Sequence, residues 1–216
     1  MKKQLEYYDL SFQAYKRIKT MILKNELPAG KKIVQEKLAG ELGVSRMPLH
    51  KAFQMLENEL LVESIPRRGI YVKKIDPEEI MDAFECRQAF EAMAIRRVAK
   101  NITPNQINSL FHLFAPFAAD PANADLGKYE EADRLFHRTI LELSGNRLIM
   151  QQMELFSNII VRTYQRGLIR GPKETYSEHI AIIEAIARHD SDASEKLLID
   201  HFRKSRDMIE EFIKLQ

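Results

Sequence analysis

Apolar residues recur at steps of three and four along most of this chain, the spacing that places them on one face of a helix. Over Asp9–Asn25, Leu10, Ala14, Ile18, Met21 and Ile22 share a stripe, with Lys16, Arg17, Lys19 and Lys24 off it. This predicts an amphipathic helix that Leu27–Pro28–Ala29–Gly30 ends. Val34–Leu42 predicts a second helix, with Leu38, Ala39 and Leu42 inward, and Gly43 follows where a sharp turn needs a positive φ. Ser45 opens a third, with its hydroxyl as the expected cap. Pro48 is tolerated at the third helical position, because no intrahelical acceptor exists there for its missing donor. Leu49, Ala52, Phe53 and Leu56 form that helix's inward face, and Leu60–Ser64 and Ile70–Val72 read as short strands around Pro66–Arg67–Arg68–Gly69.

No strand-like alternation follows residue 75. Helices are predicted over about 77–100, 104–119, 124–144, 147–166, 173–189 and 191–214, the first with Asp76 as its cap and Pro77–Glu78–Glu79 as its first turn. The fold class is therefore mainly α. Residues 1–75 are expected to form a winged helix-turn-helix, α with a small β-hairpin, and residues 76–216 an all-α antiparallel helical bundle.

Composition narrows the function. A chain of 216 residues with 45% hydrophobic and 30% charged residues is globular. Its single cysteine, Cys86, cannot form an internal disulfide, and Met1–Lys2–Lys3 runs into Gln4, Glu6 and Asp9 without an apolar signal core. A cytoplasmic protein, nucleoid-associated when bound to DNA, is expected. No apolar run approaches the roughly 20 residues that cross a bilayer, so no membrane partner is expected.

The net charge of +2 hides an asymmetry: residues 1–75 carry 15 basic and 8 acidic residues, residues 76–216 carry 18 and 23. A front segment at +7 attracts a polyanion such as DNA, whereas a rear segment at −5 is repelled by one. The helix-turn-helix order directs the start of the third helix outward, and that start carries Ser45, Arg46, Met47, His50 and Lys51. Arg67, Arg68 and Gly69 form the tip of a basic wing.

In the rear half, Asp133 and His137 are four apart and lie in register with Ile140 and Leu141. His179 precedes Ile182, Ile183 and Ile186 on an inward stripe, and His201 sits among Leu197, Leu198 and Met208 by the same rule. Such groups are costly to bury unless paired or coordinated. One carboxylate and three imidazoles would satisfy each other around a divalent cation, for which Zn²⁺ or Ni²⁺ suits the nitrogen-rich set and Mn²⁺ or Fe²⁺ is an alternative. His112 and His189, at a helix face and a helix end, read as ordinary hydrogen-bonded residues.

The run from Tyr15 to Val72 resembles the GntR family of bacterial transcription regulators, through Leu27–Pro28–Ala29–Gly30, Leu38–Ala39, Leu42–Gly43–Val44–Ser45–Arg46, Pro48 and Pro66–Arg67–Arg68–Gly69. The resemblance implies that Arg46 and its neighbours read the major groove and that the wing tip enters the minor groove. Met47 and His50 stand where members commonly have Thr and Arg, and Glu36 where a basic residue is frequent, departures that bear on the operator sequence. From about Ile80 to Met208 the chain resembles the FCD effector-binding domain of the FadR-like branch. The resemblance rests on Glu85–Cys86–Arg87 with Glu91, Asp133–Arg134–Leu135–Phe136–His137, Ser144–Gly145–Asn146, Glu178–His179–Ile180 and His201. It implies that Asp133, His137, His179 and His201 are the ligands of metal-binding members, and that Arg87, with Arg162 as a weaker candidate, binds the effector. It further implies a homodimer on a near-palindromic double-stranded operator, with a small organic acid as effector.

A metal-dependent hydrolase is the competing class, and a metal-sensing or structural DNA-binding protein without an organic effector is another. The chain has no His-Glu-x-x-His pair, no Gly-x-Ser-x-Gly elbow and no Gly-rich phosphate loop, and an enzyme has no use for a basic wing. The expectation is a ligand-responsive regulator acting as a repressor, and not an enzyme.

Overall fold

The computed structural model describes the backbone of residues 2–164 and 170–214, and the side chains over that range apart from residues 2–9, Glu154 and Tyr164. The chain divides into two compact units, Met1–Asp76 with Ser157–Gln165, and Pro77–Phe156 with Arg166–Gln216.

In the first unit, α1 (Lys2–Leu23), α2 (Gln35–Leu42) and α3 (Arg46–Asn58) precede a hairpin of β1 (Val62–Ile65) and β2 (Gly69–Val72). Ala14, Ile18 and Ile22 of α1, Leu38 of α2 and Leu49, Ala52, Phe53 and Leu56 of α3 close one core with Leu61, Val62, Ile70 and Val72. Leu10, placed on the inward stripe by its spacing, is exposed. The first helix starts at Lys2 rather than Asp9 and stops at Leu23, before the Pro-Gly segment, because Asn25 takes a left-handed φ of 58° that a short polar side chain tolerates. Gly43 caps α2 with φ 64°, and its N–H reaches the carbonyls of Ala39 and Gly40. Only Gly43, Val44 and Ser45 separate α2 from α3.

The hairpin pairs Val62 with Val72 and Ile65 with Gly69, antiparallel. A third extended segment flanks β2, where Ile33 N–H donates to the Ile70 carbonyl at 2.8 Å and Gly30 N–H to the Val72 carbonyl at 2.8 Å. The wing thus has a backbone seat as well as an apolar one.

After the hairpin the described residues are helical: α4 (Pro77–Asn101), α5 (Pro104–Phe114), α6 (Leu126–Leu143), α7 (Arg147–Tyr164), α8 (Pro172–Ala187) and α9 (Ser191–Lys214), the second unit holding all of these but the end of α7. A capping box starts α5, Thr103 N–H donating to Gln106 Oε1 at 2.9 Å and Gln106 N–H to the Thr103 hydroxyl. It ends at Phe114 instead of near 119, because Pro116 has no N–H to continue the helical bonding; a short 3-10 turn, Ala115–Phe117, follows. The last two positions of the helix predicted over 147–166 lie outside the described residues. No helix among those described is long and apolar enough to cross a membrane.

A division at residue 75 misses one feature. Ser157–Gln165 groups with the first unit, where Asn158 Nδ2 donates to Glu59 Oε2 at 3.1 Å and the Arg162 guanidinium donates to the carbonyls of Leu60 and Lys73. These carbonyls flank the hairpin and are remote from Arg162 in sequence, so periodicity carries no trace of the contact.

Leu56 has no exposed surface. Leu56→Ala should cost about 2–5 kcal/mol of first-unit stability in denaturant unfolding. Gly43→Ala, where an added Cβ meets no atom within 4 Å but φ is left-handed, should cost only about 1–2 kcal/mol.

Candidate metal centre

Three helices converge on one buried point. On α6, Asp133 and His137 stack one turn apart, with Tyr129 one turn before them; α8 contributes His179 and α9 His201. One candidate ligand atom from each of Asp133, His137, His179 and His201 lies within 4.8 Å of the others, and all four residues are buried. Asp133 Oδ1 stands 3.1 Å from His179 Nε2 and 3.8 Å from His137 Nε2, and the rings of His179 and His201 have centroids 4.7 Å apart.

The opposite edge of each imidazole is held from outside. His137 Nδ1 donates to Glu91 Oε2 at 2.5 Å, and His201 Nδ1 donates to Glu178 Oε2 at 2.8 Å. His179 Nδ1 lies 3.0 Å from the Tyr129 hydroxyl, which is 2.9 Å from that of Thr175. Glu91 turns its second oxygen to Arg87 Nε at 2.6 Å, and the guanidinium also lies 5.0 Å from the centre of the Phe202 ring. Glu178 is gripped by Arg170 and by Lys204 Nζ, at 2.7 Å each from Oε1. Phe114 stacks on His179 with centroids 4.5 Å apart, and Phe136 meets it edge-on at 5.1 Å, so aromatic surface fills the space that water would take.

Electrostatics set the protonation that coordination requires. Burial pushes the Asp133 carboxyl up, but His137, His179 and Arg87 together more than reverse this, holding it well below the ordinary range. Burial lowers His179, against the pull of Asp133, and lowers His201 to about 4, against Glu178. Glu91 and Glu178, although burial opposes their charge, are held below the ordinary range by their imidazole and guanidinium partners. The centre therefore combines an ionised carboxylate with neutral rings at His179 and His201, the state in which such groups bind a cation.

The fit to a metal ion rests on one atom. His179 Nε2 is buried and makes no hydrogen bond, with Asp133 Oδ1 3.1 Å away. An unsatisfied buried nitrogen costs about 1–3 kcal/mol, which coordination would relieve. Three imidazole nitrogens and one carboxylate oxygen form a donor set that could hold a metal ion.

Of the two arginines expected at the effector, Arg87 is tied to this cluster through Glu91, in the ion pair that its four-residue spacing allows. Arg162 falls in the first unit, where its guanidinium donates to the carbonyls of Leu60 and Lys73. His112 and His189 stand apart, their Nδ1 atoms on the carbonyls of Asn108 and Ala99 at 2.7 and 2.8 Å. The sequence reading gave no role at this centre to Tyr129, Thr175 or Glu178, and considered Glu91 only as an ion-pair partner. Tyr129 is four before Asp133, Thr175 four before His179 and Glu91 four after Arg87, so the same periodicity would have found three of them.

At the start of α3, Ser45, Arg46, Met47, His50 and Lys51 are exposed while Pro48 and Leu49 are buried. Ser45 occupies the cap position with extended backbone, but its hydroxyl makes no capping hydrogen bond, which corrects the sequence expectation. The reason lies two residues inside the helix: Pro48 occupies the third position, whose N–H is a usual donor to such a hydroxyl, and has none. Arg46 Nη2 donates to Glu36 Oε1 at 2.7 Å, both side chains exposed, so the acid that stands where a base is frequent pairs with Arg46. Arg67 and Arg68 are exposed at the hairpin tip, where Arg67 has φ 62° and Gly69 φ 104°.

Comparison with known proteins agrees with both regions. The family of bacterial regulatory proteins called gntR matches residues 10–72, and the FCD domain matches residues 82–204. The chain is 25% identical over 194 residues to the HTH-type transcriptional repressor RspR of Escherichia coli, covering 89% of this chain and 85% of the relative. It is 25% identical over 198 residues to an uncharacterised HTH-type transcriptional regulator of Streptomyces ambofaciens, covering 91% and 83%. The solved structure of Escherichia coli McbR/YncC superposes with a TM-score of 0.73 at 18% identity, over 94% of this chain and 98% of that one, and shares its fold.

His179→Ala removes one donor and the atom with the unmet valence. Protein purified with added Zn²⁺ or Ni²⁺ should lose its bound metal in elemental analysis, whereas His112→Ala should retain it; equal metal in His179→Ala and the parent would take His179 out of the ligand set.

Proposed function

The chain belongs to the GntR family of bacterial transcription regulators, with an FCD domain as its second part, and we propose that it is a repressor whose hold on an operator is set by a small organic acid at a metal centre formed by Asp133, His137, His179 and His201. It is a DNA-binding transcriptional regulator and not an enzyme. The observation that carries the reading is the unsatisfied His179 Nε2 inside a buried Asp/His cluster that the DNA-reading task does not require. Repression is supported by the relative RspR, itself named a repressor. The protein acts in the cytoplasm.

The donor set favours Zn²⁺ or Ni²⁺, with Mn²⁺ or Fe²⁺ as alternatives decided by availability in the cell. When bound, such an ion supplies Lewis acidity that can hold one carboxylate oxygen of an organic acid. Arg87 is the cation nearest in role to the second oxygen: its guanidinium is already committed to a carboxylate, Glu91, in a buried setting where charge-assisted contacts are strong. The aromatic wall of Phe114, Phe136 and Phe202 excludes water from the cluster. Glu91, which Arg87 shares with His137, is the group that feels an acid competing for Arg87.

A ligand changes DNA binding only through a difference in affinity for two arrangements of the protein. Arg87 and Glu91 lie on α4, which starts at Pro77 immediately after Asp76, so a displacement of α4 passes along the chain to the reading head. On DNA, the exposed start of α3 with Arg46 reads the major groove and Arg67–Arg68–Gly69 enters the minor groove. One head contacts few bases, and a homodimer on a near-palindromic operator multiplies its specificity.

Arg46→Ala should weaken operator binding by about 1–3 kcal/mol and blunt base preference. Lys31→Ala, at an exposed basic site, should lower affinity and salt slope evenly across sequences. Equal loss of base preference in both, measured by competition binding, would contradict the groove assignment. A panel of organic acids should raise the thermal midpoint of metal-loaded protein and leave chelated protein unmoved, since a ligand stabilises the state that binds it. An acid that shifts both forms alike would place its site away from the ion.

A further inference from the structure

Each candidate ligand histidine has its Nδ1 edge occupied by a different outer partner, and the three partners come from different places in the fold. A neutral imidazole carries one N–H, and the hydrogen bond made by one nitrogen decides what the other can do. Glu91 meets Arg87 on its other oxygen and Glu178 meets Arg170 and Lys204, cations that only donate, so each carboxylate accepts and the rings of His137 and His201 put their proton on Nδ1. That leaves each Nε2 with a free lone pair.

His179 faces a hydroxyl instead of a carboxylate, and a hydroxyl can give or accept, so this contact sets no proton position on the ring. Thr175 Oγ1 donates toward Tyr129 Oη at 2.9 Å and toward the Gly171 carbonyl at 3.1 Å, and on its other edge His179 Nε2 stands 3.1 Å from Asp133 Oδ1.

We propose that Glu91 and Glu178 are positioning groups that lock His137 and His201 into the Nδ1–H tautomer before an ion arrives, so that two Nε2 lone pairs and the Asp133 carboxylate are presented together. This rests on the metal-centre reading above and assigns its outer partners. Orienting partners of this kind raise ligand basicity and commonly change metal affinity by about 10–100-fold. The Arg87–Glu91 pair extends the lock, since Arg87 occupies Oε1 of Glu91 and leaves Oε2 for His137.

The test begins with the full-length, metal-free protein, whose histidine rings are read by long-range ¹H–¹⁵N correlation at a pH where imidazoles are neutral. His137 and His201 should both show protonated Nδ1 and bare Nε2, the less common tautomer in water, while exposed His50 should not be held there. An Nε2–H tautomer on either of the two overturns the proposal, and no variant has to fold for this result to be obtained. Affinity for Zn²⁺, measured by chelator competition, should then fall about 10–100-fold in Glu178→Gln, with part of the loss restored in Glu178→Asp. If Glu178→Gln binds the ion like the parent while His179→Ala does not, the centre stands and the positioning role falls. If His179→Ala also binds like the parent, the metal-centre reading itself is lost.

Discussion

Burying a carboxylate and three imidazoles at one point is the constraint around which the second unit is organised. Each group would be costly to remove from water alone, and the helices answer by supplying partners from outside the cluster. Glu91, Glu178 and Tyr129 are no less buried in purpose than the four residues they face: each contacts a ring nitrogen, and two of them are in turn held by cations. Among the described residues this network leaves the buried His179 Nε2 without a hydrogen bond, beside Asp133. The polar interior is a buried Asp/His cluster that could hold a metal ion.

The first unit obeys the opposite rule. Its chemistry is on the surface, and its core serves to hold an exposed helix start and a hairpin tip in place. Pro48 shows the two demands meeting: it is buried against the core, and by lacking an N–H it deprives Ser45 of a capping bond, leaving that hydroxyl exposed and uncommitted to the third position. Arg46 is paired with Glu36 in the free protein, but a pair exposed on both sides contributes little.

Much of this was legible in advance. The 3.6-residue period located the described helices to within a few residues, apart from the early start of α1 and the early end of α5, and it placed Asp133, His137, His179 and His201 on inward faces. Gly43 gave the tight turn, and Pro66 to Gly69 the wing. What spacing does not carry is long-range contact and backbone exception. The bonds of Arg162 to the carbonyls of Leu60 and Lys73 leave no trace in the helical period, and Ser45 has the right residue type at a cap whose donor is absent.

The sequence by itself determined the helices, the charge division between the two regions and the identity of the inward polar residues, because these are local properties of spacing and residue type. Tertiary structure alone decided that four such residues meet, which nitrogen of each ring faces inward, and which arginine belongs to the cluster. The bond from His137 to Glu91 joins residues 46 apart and the contact of His179 with Tyr129 residues 50 apart. No helical period reaches that far, since the orientation of a buried ring is fixed by whatever packs on its far edge.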